Sequence, residues 1–517
     1  MKILFASSEA VPYSKTGGLA DVSAALSRAL AQCGAEVWVI TPNYKSVSKY
    51  LEQHGVTPIR CGAQLRIRLG NKLVEGQLFT TVLPGTSVPV ILVDQPGYYQ
   101  RPDLYQNGGH DYADNCERFI FFSRSVLEAA RILGFQPDIV HVNDWQTGLV
   151  PALLALEGRH LPPRMQMRSV LTIHNLAFQG NFWHWDMLLT GLDWKYFNWH
   201  QMEFFGQLNL LKTGIVFSDQ ITTVSPTYAR EIQTSEFGCG LQGVLQTRHD
   251  DLVGILNGVD TSIWNPANDP YLTQKYDIDT AAAGKAACKA DLQREFGLPI
   301  KADVPLAGMI SRLTEQKGID LVTDHLSSLI DAGMQIVFLG SGDSRYESAL
   351  QEAAKKWPAH IGVKIGFDDG LAHRIEAGAD MYLMPSRYEP CGLNQMYSLQ
   401  YGTIPIVHSV GGLADTVTPV SDETLASGRA TGFSFKEYTS DEFMKQVYQA
   451  VELYSQREKW TQLVQNGMRQ DGSWSHSARS YMALYERALS QPPHSLPTVL
   501  PEPSAMQPAS NGVVAIH

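Results

Sequence analysis

Arg312 and Lys317 lie five positions apart in Ser311-Arg312-Leu313-Thr314-Glu315-Gln316-Lys317-Gly318, directly after the apolar run Pro305–Ile310. A planar guanidinium and a mobile ammonium at a strand end suit the oxygens of a phosphate or diphosphate. A third cation, Lys15, precedes Gly17-Gly18 near the N-terminus. A glycine pair between a strand and a helix turns the backbone tightly and leaves amide N–H groups free. Those amides and the helix dipole hold anions. Glu389 lies in Pro385-Ser386-Arg387-Tyr388-Glu389-Pro390-Cys391-Gly392-Leu393, just outside a second helix start, where a carboxylate holds sugar hydroxyls or complements the dipole. Asp144-Trp145 and His174-Asn175 follow two further strand-like runs. Cys391 reads as a packed thiol rather than a nucleophile.

These residues need strands that end together. Apolar runs at Lys2–Ala6, Glu36–Thr41, Pro89–Asp94, Asp138–Val142, Ser169–Ile173, Gln220–Val224 and Leu252–Leu256 alternate with helical patterns such as Asp111–Leu133. Several are apolar throughout, as strands covered on both faces are, and the alternation predicts parallel β-α-β units. Residues 265–300 interrupt the series as a helical connection. A second series follows: Pro305–Ile310, Gln335–Leu339, Gly362–Ile365, Asp380–Met384, Ile404–His408 and Thr431–Phe435. The pentapeptide Gly17-Gly18-Leu19-Ala20-Asp21 recurs as Gly411-Gly412-Leu413-Ala414-Asp415. Two doubly wound α/β domains put their crevices at the carboxyl ends of the strands, and the two copies are expected to approach a shared ligand from opposite sides. The domains read as 1–256 and 257–470. A helical segment at 471–490 and a Pro-rich, disordered tail at 491–517 complete the chain.

The 517 residues exceed one ordinary core. A hydrophobic share of 44% with 18% charged residues predicts a soluble globule. A net charge of −11 without a long basic tract argues against nucleic acid or an anionic membrane as partner. Cys33, Cys61, Cys116, Cys239, Cys288 and Cys391 are scattered without C-x-x-C, which fits a reducing cytoplasm and no disulfide or zinc framework. The first apolar run is too short for a signal peptide, and no run is long enough to cross a bilayer. Asp277-Ile278-Asp279 fits a D-x-D metal pattern but has no strand before it, so it reads as a helix cap. Gly340-Ser341-Gly342-Asp343 lacks the third glycine of a dinucleotide loop, so no metal or cofactor is assigned.

Together these motifs resemble the bacterial glycogen synthase and plant starch synthase family. The carrying residues also include His141-Val142-Asn143-Asp144-Trp145, Thr172-Ile173-His174-Asn175 and Asn257-Gly258-Val259-Asp260. The match spans residues 1 to about 490. The resemblance implies the GT-B fold, with two Rossmann-like domains across a deep cleft and a final helix crossing back to the first. It implies glucose transfer from ADP-glucose to the non-reducing end of an α-1,4-glucan, with retention at the anomeric carbon. Lys15, Arg312 and Lys317 then hold the pyrophosphate, with Gly17, Gly18, Gly392 and Leu393 beside it and Cys391 in the same loop. Asp21, Asp144, His174, Asn257 and Glu389 line the donor-sugar site with Asn175, and Phe367 stacks the adenine. Glu389, His174, Arg312, Lys317 and Lys15 form the catalytic set. Two positions depart from the family pattern: Asn143 where His is expected, and Asn394 where Thr is common beside the nucleotide. The rival readings are a UDP-sugar-dependent retaining transferase with another acceptor, a sugar-binding scaffold and an NAD oxidoreductase.

Overall fold

The computed structural model describes residues 1–158 and 167–496. Its first half is built on a nine-stranded sheet. From edge to edge the strands are Leu252–Gly254, Gln220–Thr223, Arg168–Ile173, Ile139–Asn143, Lys2–Ala6, Glu36–Pro42, Pro89–Asp94, Lys72–Val82 and Ile59–Leu69. The first seven are parallel, and the last two form a hairpin in which Lys72–Val82 runs antiparallel to its neighbour Pro89–Asp94 and Ile59–Leu69 turns back at the edge. Ile3, Phe5, Val39, Ile40, Val140 and Val142 are fully buried, because helices cover both faces of the sheet.

The second half carries six parallel strands in the order Ile361–Ile365, Gln335–Gly340, Leu306–Ile310, Met381–Met384, Ile404–His408 and Phe433–Phe435. In each sheet the earliest strand lies at the point where the strand order reverses. Lys2–Ala6 sits between Ile139–Asn143 and Glu36–Pro42, and Leu306–Ile310 between Gln335–Gly340 and Met381–Met384. Loops that leave such a point open the ligand crevice of a doubly wound sheet. The loop after the first carries Lys15, and the loop after the second carries Arg312.

The helix Trp474–Ser490 returns to the first sheet. Its apolar residues recur at spacings of three and four, and Trp474, Ala478, Tyr481, Tyr485 and Ala488 join the first core. Tyr485 Oη bonds His141 Nδ1 at 2.7 Å. Beside this return, the Val259 amide donates to Gly472 O at 2.6 Å, so the outgoing and incoming chain segments pair where the domains meet.

Several expectations need correction. The helix expected at Asp111–Leu133 begins at Asn115, because His110–Asp111 pairs with Gln106–Asn107 as a small hairpin. Only Ala281–Glu295 of the 265–300 connection is α-helical. The hairpin Ile59–Leu69/Lys72–Val82 was not anticipated at all. The first six residues of the expected disordered tail pack on the first domain: Arg168 and Gln220 side chains donate to Gln491, and the His494 amide donates to Asp219. The rest of that tail lies outside the described residues.

Candidate active site

The carboxyl ends of Leu306–Ile310, Gln335–Gly340 and Met381–Met384 wall a cavity of about 290 Å³. Arg312, Lys317, Phe367, Glu389 and Leu393 all line it. Lys317 Nζ donates to Glu389 Oε2 at 2.6 Å, and Ser386 Oγ donates to the same oxygen at 3.1 Å. The Glu389 side chain is 9% exposed, so this charge-assisted bond is largely shielded from water. Arg312 is exposed, with Nη2 on Gln316 Oε1 at 3.1 Å. Phe367 is 83% exposed and offers the cavity an aromatic face. Asn394 also lines the cavity, with its amide nitrogen engaged by Ile310 O and Tyr382 Oη. Buried Ser311 Oγ has no hydrogen-bond partner among the described residues. The glycines of Gly340-Ser341-Gly342 serve close packing, since a Cβ at Gly340 would overlap Ser311 O.

The loop of the first domain meets this wall. A Cβ at Gly18 would stand 3.6 Å from Leu393 Cδ1. Lys15 Nζ pairs with Asp21 Oδ1 at 2.9 Å, and burial raises the Asp21 carboxyl while Lys15 opposes the shift. The expectation of a free Gly17 amide needs revision. Glu9, 3% exposed, accepts from the Thr16 amide at 2.5 Å, the Thr16 hydroxyl at 2.6 Å and the Gly17 amide at 3.4 Å. Tyr105 Oη also donates to Glu9, at 2.7 Å. Glu9 is a functional candidate that the sequence reading missed, although it stands three residues past the first strand, where loop anchors are expected.

Asp144, His174 and Asn175 form a second constellation at the ends of Ile139–Asn143 and Arg168–Ile173. The His174 amide donates to Asp144 Oδ1 at 2.7 Å. Asp144 holds φ 53°, a strained conformation for a residue with a Cβ. Burial pushes its carboxyl up to about 7, opposed by the His174 and Asn175 amides. Burial holds the His174 imidazole down at about 3, so it is neutral at physiological pH.

Not every expected site residue reaches the cavity. Asn257 is buried outside its lining, and burial pushes the nearby Cys391 thiol up to about 12. Cys391 is thus a packed thiol. Gly392 takes φ 71°, and a side chain there would crowd Gln395. Asp277 of the D-x-D segment accepts from the Thr280 amide and hydroxyl and from the Asp279 amide, ordering the turn before Ala281–Glu295. The second pentapeptide is engaged by the first domain. The Gly411 amide donates to both oxygens of Glu231, at 2.9 and 3.1 Å. Reciprocally, Asp415 accepts from the Thr227 amide at 2.8 Å and the Thr227 hydroxyl at 2.6 Å.

Comparison with known proteins gives this arrangement a family. A model of the starch synthase catalytic domain matches residues 2–247, and one of glycosyl transferases group 1 matches residues 293–466. The chain is 49% identical to a glycogen synthase of Anaeromyxobacter dehalogenans over 486 residues, 94% of this chain and 99% of that protein. It is 44% identical to a glycogen synthase of Rhodopirellula baltica, covering 95% and 98% of the two chains. Among solved structures, the catalytic domain of starch synthase IV from Arabidopsis thaliana superposes with a TM-score of 0.84 at 31% identity, over 95% of this chain and 99% of that one. A sucrose-phosphate synthase from Thermosynechococcus elongatus, at 15% identity and a TM-score of 0.56, shares the fold alone. The fold is GT-B, and the chain belongs to the bacterial glycogen synthase and plant starch synthase family of glycosyltransferases.

Proposed function

We propose that the chain extends the non-reducing end of an α-1,4-glucan with glucose from ADP-glucose, with retention at the anomeric carbon. One observation carries the reading: Arg312, Lys317, Glu389 and the aromatic face of Phe367 line a single cavity, with the Lys15–Gly18 loop against its wall. Phe367 suits a nucleobase, the cations suit a diphosphate, and the carboxylate suits sugar hydroxyls. The related starch synthase IV domain was solved with ADP and acarbose.

In this reading the acceptor 4-hydroxyl oxygen attacks C1 as the C1–O bond to the β-phosphate breaks. The hydroxyl proton passes to a departing phosphate oxygen. Charge grows on that phosphate while the sugar ring becomes oxocarbenium-like. Donors already aimed at the phosphate stabilise this state without reorganising. Arg312, Lys317 and Lys15 fill that role, with the amides at Gly18 and Leu393. Attack and departure on the same face account for retention. Glu389, held by Lys317 and Ser386, orients the sugar rather than forming a covalent bond to it. Asp144, His174 and Asn175 serve the sugar from the first domain. Closing the domains around the donor excludes water and protects it from hydrolysis. Among the described residues no helix is long and apolar enough to cross a membrane. All six cysteines are free thiols, which supports a cytoplasmic setting.

The test mixes glycogen with ADP-glucose or with UDP-glucose and identifies the nucleotide released. ADP release with glucan growth is expected. Preferential UDP release would transfer the reading to a UDP-sugar enzyme, and no transfer from either donor would overturn it.

A further inference from the structure

Asn143 ends the strand Ile139–Asn143 and is fully buried. Its amide nitrogen donates to Ala6 O at 3.0 Å, and its amide oxygen lies 2.9 Å from His174 Nε2. Ala6 O can only accept, so it fixes which end of the amide faces which way. The end left for His174 is then the oxygen, another acceptor, so Nε2 must carry the imidazole proton. In a neutral ring this leaves Nδ1 with its lone pair free. Two further bonds hold the backbone of Asn143: its amide donates to Thr147 Oγ1 at 2.7 Å, and its carbonyl accepts from the same hydroxyl at 2.8 Å. The His174 backbone is pinned separately, through its amide on Asp144. Both the position and the tautomer of the ring are therefore set before any ligand arrives.

We propose that Asn143 is a positioning residue, which reads the Ala6 carbonyl and holds His174 as its Nε2–H tautomer, presenting Nδ1 as an acceptor to a hydroxyl of the donor sugar. This rests on the placement of His174 in the sugar site proposed above. The relay starts on Lys2–Ala6, the central strand of the first sheet, and passes through Ile139–Asn143 to the end of Arg168–Ile173. Three adjacent strands thus fix one lone pair. The arrangement also gives physical meaning to the departure at this position. A histidine at 143 has one nitrogen to donate to Ala6 O and one to accept from His174, so it can perform the same relay. A leucine, similar in volume, can do neither.

The test compares Asn143→Leu, Asn143→His and His174→Ala in the full-length enzyme, with folding checked by circular dichroism. Asn143→Leu is expected to lower kcat about 10–100-fold, the same order as the loss when the partner that orients a metal-bound histidine is removed. KM for glycogen is expected to stay unchanged, and Asn143→His to recover most of the rate. The ¹⁵N shifts of histidine-labelled wild-type protein, assigned by the loss of one signal set in His174→Ala, are expected to show Nε2–H and bare Nδ1. A wild-type rate in Asn143→Leu with an inactive His174→Ala would overturn the relay while leaving the sugar-site reading intact. A wild-type rate in His174→Ala would overturn the sugar-site reading itself. Should the leucine variant fail to fold, the shifts still decide: an Nδ1–H tautomer in the wild type ends the proposal.

Discussion

The chain uses Gly-Gly-Leu-Ala-Asp twice, and the two copies do different work. At residues 17–21 the segment leaves the central strand of its sheet, Gly18 faces Leu393 on the cavity wall, and Asp21 pairs with Lys15. At residues 411–415 it follows a lateral strand, and its first amide is already taken by Glu231 of the other domain. There Asp415 caps the helix Pro226–Glu231 while Glu231 caps the helix Gly411–Thr416, each carboxylate meeting the other's N-terminal amides. One sequence thus makes a cavity-facing loop at a switch point and an interdomain clasp away from it. Position in the sheet decides the role, because it decides whether the first amide meets a carboxylate of its own domain, as Gly17 meets Glu9, or one of the other domain, as Gly411 meets Glu231.

The sharpest way to break this contrast is to remove a cation from the cavity that the first copy faces. Arg312→Ala or Lys317→Ala is expected to lower kcat about 100–1,000-fold, since such donors act on developing charge. Steady-state turnover of the donor measures this, and a near-wild-type rate in either variant moves the chemistry elsewhere. Next in size is the glycine test. A Cβ at Gly17 meets nothing within 4 Å, whereas one at Gly412 would overlap the Cys391 carbonyl. Gly412→Ala is expected to cost about 1–3 kcal/mol by overpacking, and Gly17→Ala to stay within about 0.5 kcal/mol. Calorimetric melting distinguishes them, and equal losses would erase the difference. The mildest perturbation is Glu231→Gln, which weakens the clasp without emptying it. It is expected to cost about 1 kcal/mol of domain closure, seen as a larger radius of gyration by small-angle scattering and a raised donor KM. An unchanged scattering profile and KM would show that the clasp does not hold the domains together.

What could be read from the sequence alone follows the range of the interactions concerned. The parallel strands were legible because burial on both faces leaves continuous apolar runs, as in Ile404–His408. Arg312, Lys317 and Glu389 were legible because each lies within a few residues of such a run. The hairpin Ile59–Leu69/Lys72–Val82 was not read, although Leu65, Ile67 and Leu69 alternate with arginines and Gly70-Asn71 marks a two-residue turn. A register shift between Cys61 and Leu65 breaks the alternation, and the pattern before it is mostly exposed. The partners of the second pentapeptide could not be read at all. Glu231 and Gly411 are 180 residues apart, and nothing local marks a carboxylate that will cap another domain's helix. The hold of Glu9 on Thr16 and Gly17 spans only seven or eight residues, yet a lone glutamate after a strand does not announce what it will bind.

The returning helix has a consequence for how the molecule can be divided. Trp474, Ala478, Tyr481, Leu484, Tyr485 and Ala488 fill out a core whose other buried residues all precede position 256. A fragment ending at residue 256 would expose the surface they cover, and His141 would lose the phenol that bonds its Nδ1. The first domain is therefore completed last during synthesis, once the entire second domain has emerged, and a premature stop within the second domain leaves both domains unfinished.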